Sequence, residues 1–127
     1  MRKKMRRSSF WITCRKGVTE AIVPSLFYME ISNVLLTAYR RNRISRDSMH
    51  QYLDVISILP IIIDTDAAIQ GNTIKVVCEL ADKHGLTTYD TSYLELAIRR
   101  GFPLATLDAD LHKVAVELDI AYQIPSN

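Results

Sequence analysis

The amino-acid sequence predicts an α/β fold built on a parallel sheet, and three observations carry that prediction. Short apolar runs alternate with amphipathic stretches from residue 86 to residue 124, with brief loops between them, the pattern that right-handed βαβ crossovers produce. Two more β-branched runs, at residues 21–23 and 61–63, each stand directly before helix signals. No internal repeat, low-complexity stretch or Pro/Gly/Ser-rich linker divides the 127 residues, a length that allows one core and not two. A composition of 48% hydrophobic and 24% charged residues is that of a globular protein and excludes disordered and fibrous classes.

Each element has a local reason. Ala21–Val23 reads as a short strand ended by Pro24, and Ser25 is placed to cap a helix to about Arg41, whose basic last turn suits the helix dipole. Ser45 caps a second helix to about Leu59; Ile44 and Met49 are spaced as a hydrophobic staple, and Tyr52, Leu53 and Ile56 continue the apolar stripe. Pro60 stops that helix, and Ile61–Ile63 reads as a buried strand. Asp64 or Asp66 then caps a helix, kinked at Gly71, that ends at Lys83 and His84 before Gly85. Leu86–Tyr89 is read as a strand, Asp90–Arg100 as a helix closed by Gly101, Pro103–Leu107 as a strand, Asp108–Leu118 as a helix and Ile120–Ile124 as a strand.

Charge is divided along the chain. The formal net charge is +2, but residues 1–16 hold seven Lys or Arg and no acid, leaving nine bases against all fourteen acids in the remainder. The basic head is read as a mobile, solvated end; the alternative is a phosphate-binding arm that works with Arg40, Arg41, Arg43 and Arg46. The longest apolar stretch, Val55–Ile63, is interrupted by Ser57 and Pro60 and falls well short of the ~20 residues that cross a bilayer. No membrane span is predicted, and Phe10–Thr13 is too short for the apolar part of a signal peptide. Cys14 and Cys78 lie far apart with no CxxC or Cys/His spacing, which argues against a disulfide framework or zinc site and suits a reducing, cytoplasmic setting.

Candidate chemistry rests on acids. Ligands of open parallel sheets bind outside the carboxyl ends of strands, and Asp90 and Asp108 are predicted there, each after a strand and at the start of a helix. Two such carboxylates can share one metal, although for either Asp alone N-capping is the stronger explanation. Glu30 is a third acid: with Leu26 four residues before it and Val34 four after, it projects from a largely apolar helix face. Asn33 stands one turn on, placed to hydrogen-bond Glu30 or orient a metal-bound water, and a purely structural polar pair explains the spacing equally well. Carboxylates that converge without His or Cys suit Mg²⁺ or Mn²⁺, and such sites hydrolyse phosphodiesters through a metal-activated water. His50, His84 and His112 form no HxH or HExxH pattern, and there is no GxSxG elbow or Gly-rich phosphate loop.

Three segments together resemble the PIN domain in its VapC-like toxin branch: Val23–Leu26 followed by Glu30–Leu35, then LTTYDTSYLELA at residues 86–97, then PLATLD at residues 103–108. Their order and spacing match, and the similarity runs from about Ala21 to the C-terminus. The resemblance implies a three-layer α/β/α fold with a mostly parallel sheet and an endoribonuclease that hydrolyses RNA with Mg²⁺ or Mn²⁺. It further implies a toxin of a toxin–antitoxin pair, a cognate antitoxin that blocks the site, and a homodimer. Glu30, Asp90 and Asp108 are then metal-binding, catalytic acids, with Asn33 behind them and Tyr93 packing its helix against the sheet. Asp110 is read as a cap or surface charge.

The family begins with a strand ending in a metal-binding Asp, whereas residues 1–20 contain no Asp. The expected layout is therefore a basic head at 1–20, the remnant of an N-terminal helix or a mobile end, and a PIN-like domain at 21–127 that lacks the first strand through a late start or a truncation. A second function follows: a catalytically impaired PIN-like fold that serves as a protein-interaction module.

Overall fold

In the computed structural model, which describes residues 11–14, 20–66 and 71–123, the chain runs β1 (Trp11–Cys14), β2 (Ala21–Pro24), α1 (Leu26–Arg40), α2 (Arg46–Ile58), β3 (Ile61–Asp64), α3 (Thr73–His84), α4 (Thr88–Arg100), β4 (Leu104–Thr106) and α5 (Ala109–Glu117). The four strands form one sheet in the order β3-β2-β1-β4. β2 and β3 are parallel, in register from Ala21 opposite Ile61 to Pro24 opposite Asp64. β1 runs against both of its neighbours, with Thr13 opposite Ile22 on one side and Leu104 on the other. β2, β3 and β4 therefore share one direction, and the α/β/α class expected from the sequence holds.

A strand, β1, occupies the interior of the sheet where the first strand was expected to be absent, but it runs antiparallel to both neighbours and carries no Asp, so it is not the Asp-bearing parallel strand of the expectation. Trp11–Cys14 lies inside the sheet, between β2 and β4, although it belongs to the segment read as a helix remnant or mobile head. Two β-branched residues and a Trp favour extended backbone, and β1 pairs edges of β2 and β4 that would otherwise leave N–H and C=O groups unmatched in mid-sheet. Its direction follows from chain length. Six residues separate Cys14 from Ala21, enough for an antiparallel hairpin and too few for a parallel crossover of roughly a dozen residues or more. Residues 1–10 and 15–19 of the predicted head lie outside the described residues.

α4 is the centre of packing. Asp90, Thr91 and the run Tyr93–Ala97 are all buried, and Tyr93, Leu94 and Ala97 join Val23, Phe27 and Ile31 from β2 and α1 with Leu104, Leu111, Val114 and Ala115 in one core. Truncating a residue such as Leu94 or Leu111 in such a core costs about 2–5 kcal/mol. α2 differs in kind, because none of its residues is buried. Its ends match the sequence reading: the Ser45 hydroxyl accepts the Ser48 N–H at 3.0 Å, and Pro60 follows its last turn. Ser25 precedes α1 without making a side-chain cap.

Three further predictions change. Leu86–Tyr89 is not a strand, because Gly85 ends α3 in the left-handed conformation at φ 66°, Leu86 N–H returns to the Ala81 carbonyl at 3.0 Å, and Thr87 already caps α4. The three residues between the helices, Gly85 to Thr87, leave no length for a strand. The helix expected from Asp64 or Asp66 to His84 is not continuous, since Asp64 closes β3 and Gly71 and Asn72 form a turn before α3; residues 67–70 lie outside the described residues. The strand expected at Ile120–Ile124 reduces to one parallel bridge between Leu104 and Ala121, with Leu104 N–H on Ile120 O at 2.7 Å and Tyr122 N–H on Leu104 O at 2.8 Å. Residue 124 is outside the described residues. No helix among the described residues is long and apolar enough to cross a membrane.

Candidate active site

Glu30 lies one turn into α1, half-buried, and its Oε1 accepts a hydrogen bond from the Tyr93 hydroxyl at 2.7 Å. Tyr93 has no solvent exposure, so its phenol spends its one donor on this carboxylate from inside the core. The partner predicted for Glu30 was Asn33, which is exposed; the α1 helix turns Asn33 outward and leaves Glu30 facing α4. Tyr93 thus does more than pack its helix against the sheet.

Asp90, the third residue of α4, is buried at 9% exposure. The capping explanation does not apply to it. Thr87 is the cap, its hydroxyl accepting the Asp90 N–H at 3.1 Å while the Thr91 hydroxyl donates to the Thr87 carbonyl at 2.6 Å. Asp90 and Tyr93 are three residues apart and hence neighbours on the helix surface, which brings Asp90 to the same side of α4 as the group that holds Glu30.

Asp108 realises the capping explanation. Its Oδ2 accepts the Leu111 N–H at 2.8 Å at the start of α5, and its own N–H donates to the Thr106 hydroxyl at 3.0 Å. Asp110 is exposed in the first turn of α5. Among the described residues no three His, Cys, Asp or Glu side chains are gathered closely enough to hold a metal ion. The structure therefore ties Glu30, through Tyr93, to the helix that carries Asp90, and among the described residues it gathers no three-carboxylate centre.

A second acidic cluster was not identified from the sequence as a site. Arg99 binds Asp64 Oδ2 through Nη2 at 2.6 Å and Glu95 Oε1 through Nε at 2.7 Å, with side-chain exposures of 15% for Arg99, 2% for Asp64 and 7% for Glu95. The hydrogen bond to Glu95, then that to Asp64, raises the pKa of the guanidinium above its ordinary value, against the opposing effect of burial. The signal was available: Asp64 directly follows the apolar run Ile61–Ile63, the criterion that selected Asp90 and Asp108, and Glu95 stands four residues before Arg99. The cluster fastens α4 to the end of β3. The exposed pair Arg100–Asp66, 2.8 Å apart, adds little.

A family model described as the PIN domain matches residues 2–117. The chain belongs to the PIN-domain family. The match takes in β1 as well as the three segments quoted from the sequence, and it places the chain in a superfamily of nucleases that generally use divalent metal ions. A comparison with curated proteins found no match. Whether the acids of this PIN domain suit such an ion is a question of donor type first. Glu30, Asp90 and Asp108 are oxygen donors only, as Mg²⁺ and Mn²⁺ prefer, and Mg²⁺ is usually held by one or two carboxylates together with water. Glu30 and Asp90 are carboxylates of that type, while Asp108 already has Oδ2 on the backbone of α5.

Proposed function

We propose that this PIN domain is an endoribonuclease that hydrolyses RNA phosphodiester bonds with Mg²⁺ or Mn²⁺, and that it acts in the cytoplasm as the toxin of a toxin–antitoxin pair. Glu30 and Asp90 are the acids that would hold the cation, with Asp108 the third acid of the set. When bound, such a cation supplies an activated water and screens the charge that develops on the phosphate. The protein's own contribution is to hold the acids. The observation that carries the reading is the Tyr93–Glu30 hydrogen bond at 2.7 Å, which commits a fully buried phenol to orienting one carboxylate beside the helix that bears another. Thr87 supports the same arrangement by taking over the cap and releasing Asp90 from that duty. The toxin role, a cognate antitoxin that blocks the site and a homodimer rest on the VapC-like segments YDTSYLELA and PLATLD.

A second reading is favoured by one observation: among the described residues no three potential ligands are gathered. In this reading the chain is a catalytically impaired PIN-like fold that binds a partner protein. Cleavage of a labelled single-stranded RNA by the full chain separates the two. Cleavage that requires Mg²⁺ or Mn²⁺, stops on chelation and is lost in Asp90→Asn supports the nuclease. A folded chain that neither cleaves RNA nor binds Mn²⁺ in calorimetry supports the interaction module.

A further inference from the structure

α2 buries none of its 13 residues, although Ile56 packs partly against the core. A helix of that length is marginal in water by itself, and most helices gain their stability by covering an apolar face. The side left uncovered next to Ile56 is apolar. Tyr52, Val55 and Ile58 stand three residues apart and hence along one side of the helix, with Leu59 at its C-cap; all four are exposed, Ile58 by 81%. Single apolar residues on a surface are ordinary, whereas a band of them marks a contact surface.

Charge points to what covers this band. α1, α3 and α4 each carry basic residues in the last turn, as their dipoles favour, but α2 has none there. Its cation stands at the opposite end: Arg46 is its first residue and Arg43 lies in the turn before it, both exposed. A second α2 laid antiparallel across the band sets each Arg46 beside the partner's last turn, where a cation is favoured, whereas a parallel pair brings the two basic ends together. The band has no charge of its own and is therefore self-complementary, as a two-fold contact requires.

We infer that the Tyr52–Leu59 face of α2 is an interface with a second copy of this chain, the two helices running antiparallel about a two-fold axis near Val55. The inference rests on the homodimer proposed above and gives it a surface; it does not require the chain to cleave RNA.

The test is sedimentation equilibrium of the full chain over a range of concentrations, with RNA cleavage measured on the same samples. The parent is expected to dimerise. Val55→Asp sets two like charges against each other at the axis and should raise the dimer Kd about 100-fold or more; Tyr52→Glu is expected to act in the same direction. Arg46→Glu should raise Kd several-fold even though an acid in the first turn stabilises α2 itself. Ile74→Asp, at an exposed position of α3, is expected to leave Kd unchanged. All four positions are exposed, so circular dichroism of each variant should match that of the parent. A parent that stays monomeric removes both this inference and the homodimer. A dimer indifferent to Val55→Asp and Tyr52→Glu keeps the homodimer and overturns its placement on α2, and dissociation by those two with no effect of Arg46→Glu overturns the antiparallel arrangement. RNA cleavage by a monomeric parent keeps the nuclease without this inference; a parent dimer that Val55→Asp dissociates and that does not cleave RNA does the reverse.

Discussion

The Tyr93 hydroxyl donates to Glu30 Oε1 at 2.7 Å across 63 residues of sequence. Removing only the hydroxyl tests what it does. Tyr93→Phe keeps the ring in the core and is expected to cost about 1 kcal/mol in chemical denaturation, while lowering RNA cleavage by a larger factor than that loss of stability explains. Tyr93→Ala removes the ring as well and should cost about 3–5 kcal/mol.

Asp108 is both a cap and a candidate ligand, and Ser is a good cap with no charge. Asp108→Ser is expected to leave thermal stability nearly unchanged and to reduce metal-dependent cleavage. Asp108→Ala should lose both, with a stability cost of about 1 kcal/mol. If Asp108→Ser cleaves like the parent, Asp108 is a cap alone.

Arg99 holds two buried carboxylates. Arg99→Met leaves Asp64 and Glu95 without that cation and is expected to destabilise by about 3–5 kcal/mol. Adding Asp64→Asn and Glu95→Gln to Arg99→Met should recover part of the loss, measured as a multiple-mutant cycle in urea. Equal stability of Arg99→Met and the parent would show that the cluster does not tie α4 to β3.

Thr13 is fully buried in β1, and its Oγ1 has no hydrogen-bond partner among the described residues. Thr13→Val keeps the shape and removes the unsatisfied hydroxyl, so it is expected to stabilise the fold by about 1 kcal/mol. A destabilised Val variant would mean that this hydroxyl is satisfied in solution.

Cys14 and Cys78 are both free thiols, the first half-buried and the second exposed. Burial pushes the Cys14 thiol above its ordinary value of 9.0, so its neutral form is favoured in the folded state. The stability that this contributes is fully present below pH 9.0 and declines as pH rises through the higher, folded value. Iodoacetamide at pH 8 should label Cys78 first and Cys14 slowly, and mass spectrometry of the two peptides reads the order.

What could be read from the chain was local. The cap at Ser45, the stop at Pro60, the basic last turns before Gly85 and Gly101, and the cap at Asp108 all lie where the spacing put them, because such signals act within four or five residues and need no knowledge of the rest of the fold. Asp90 and Glu30 were singled out on the same kind of signal. Tertiary structure alone decided who meets whom. A short run of β-prone residues such as Leu86–Tyr89 is compatible with strand or loop, and only the placement of α3 and α4 on either side removed the strand. β1 gained its position because β2 and β4 had edges to pair, and its direction because the connection to β2 is short. Tyr93 and not Asn33 became the partner of Glu30, and Arg99 found Asp64 from 35 residues away, since buried polar groups bond to whatever polar group packing brings within reach. The sequence by itself determined the helix ends that carry local signals and where the acids stand along the chain. The sheet's interior strand and the bonds that orient those acids were settled by non-local pairing, which no window of sequence contains.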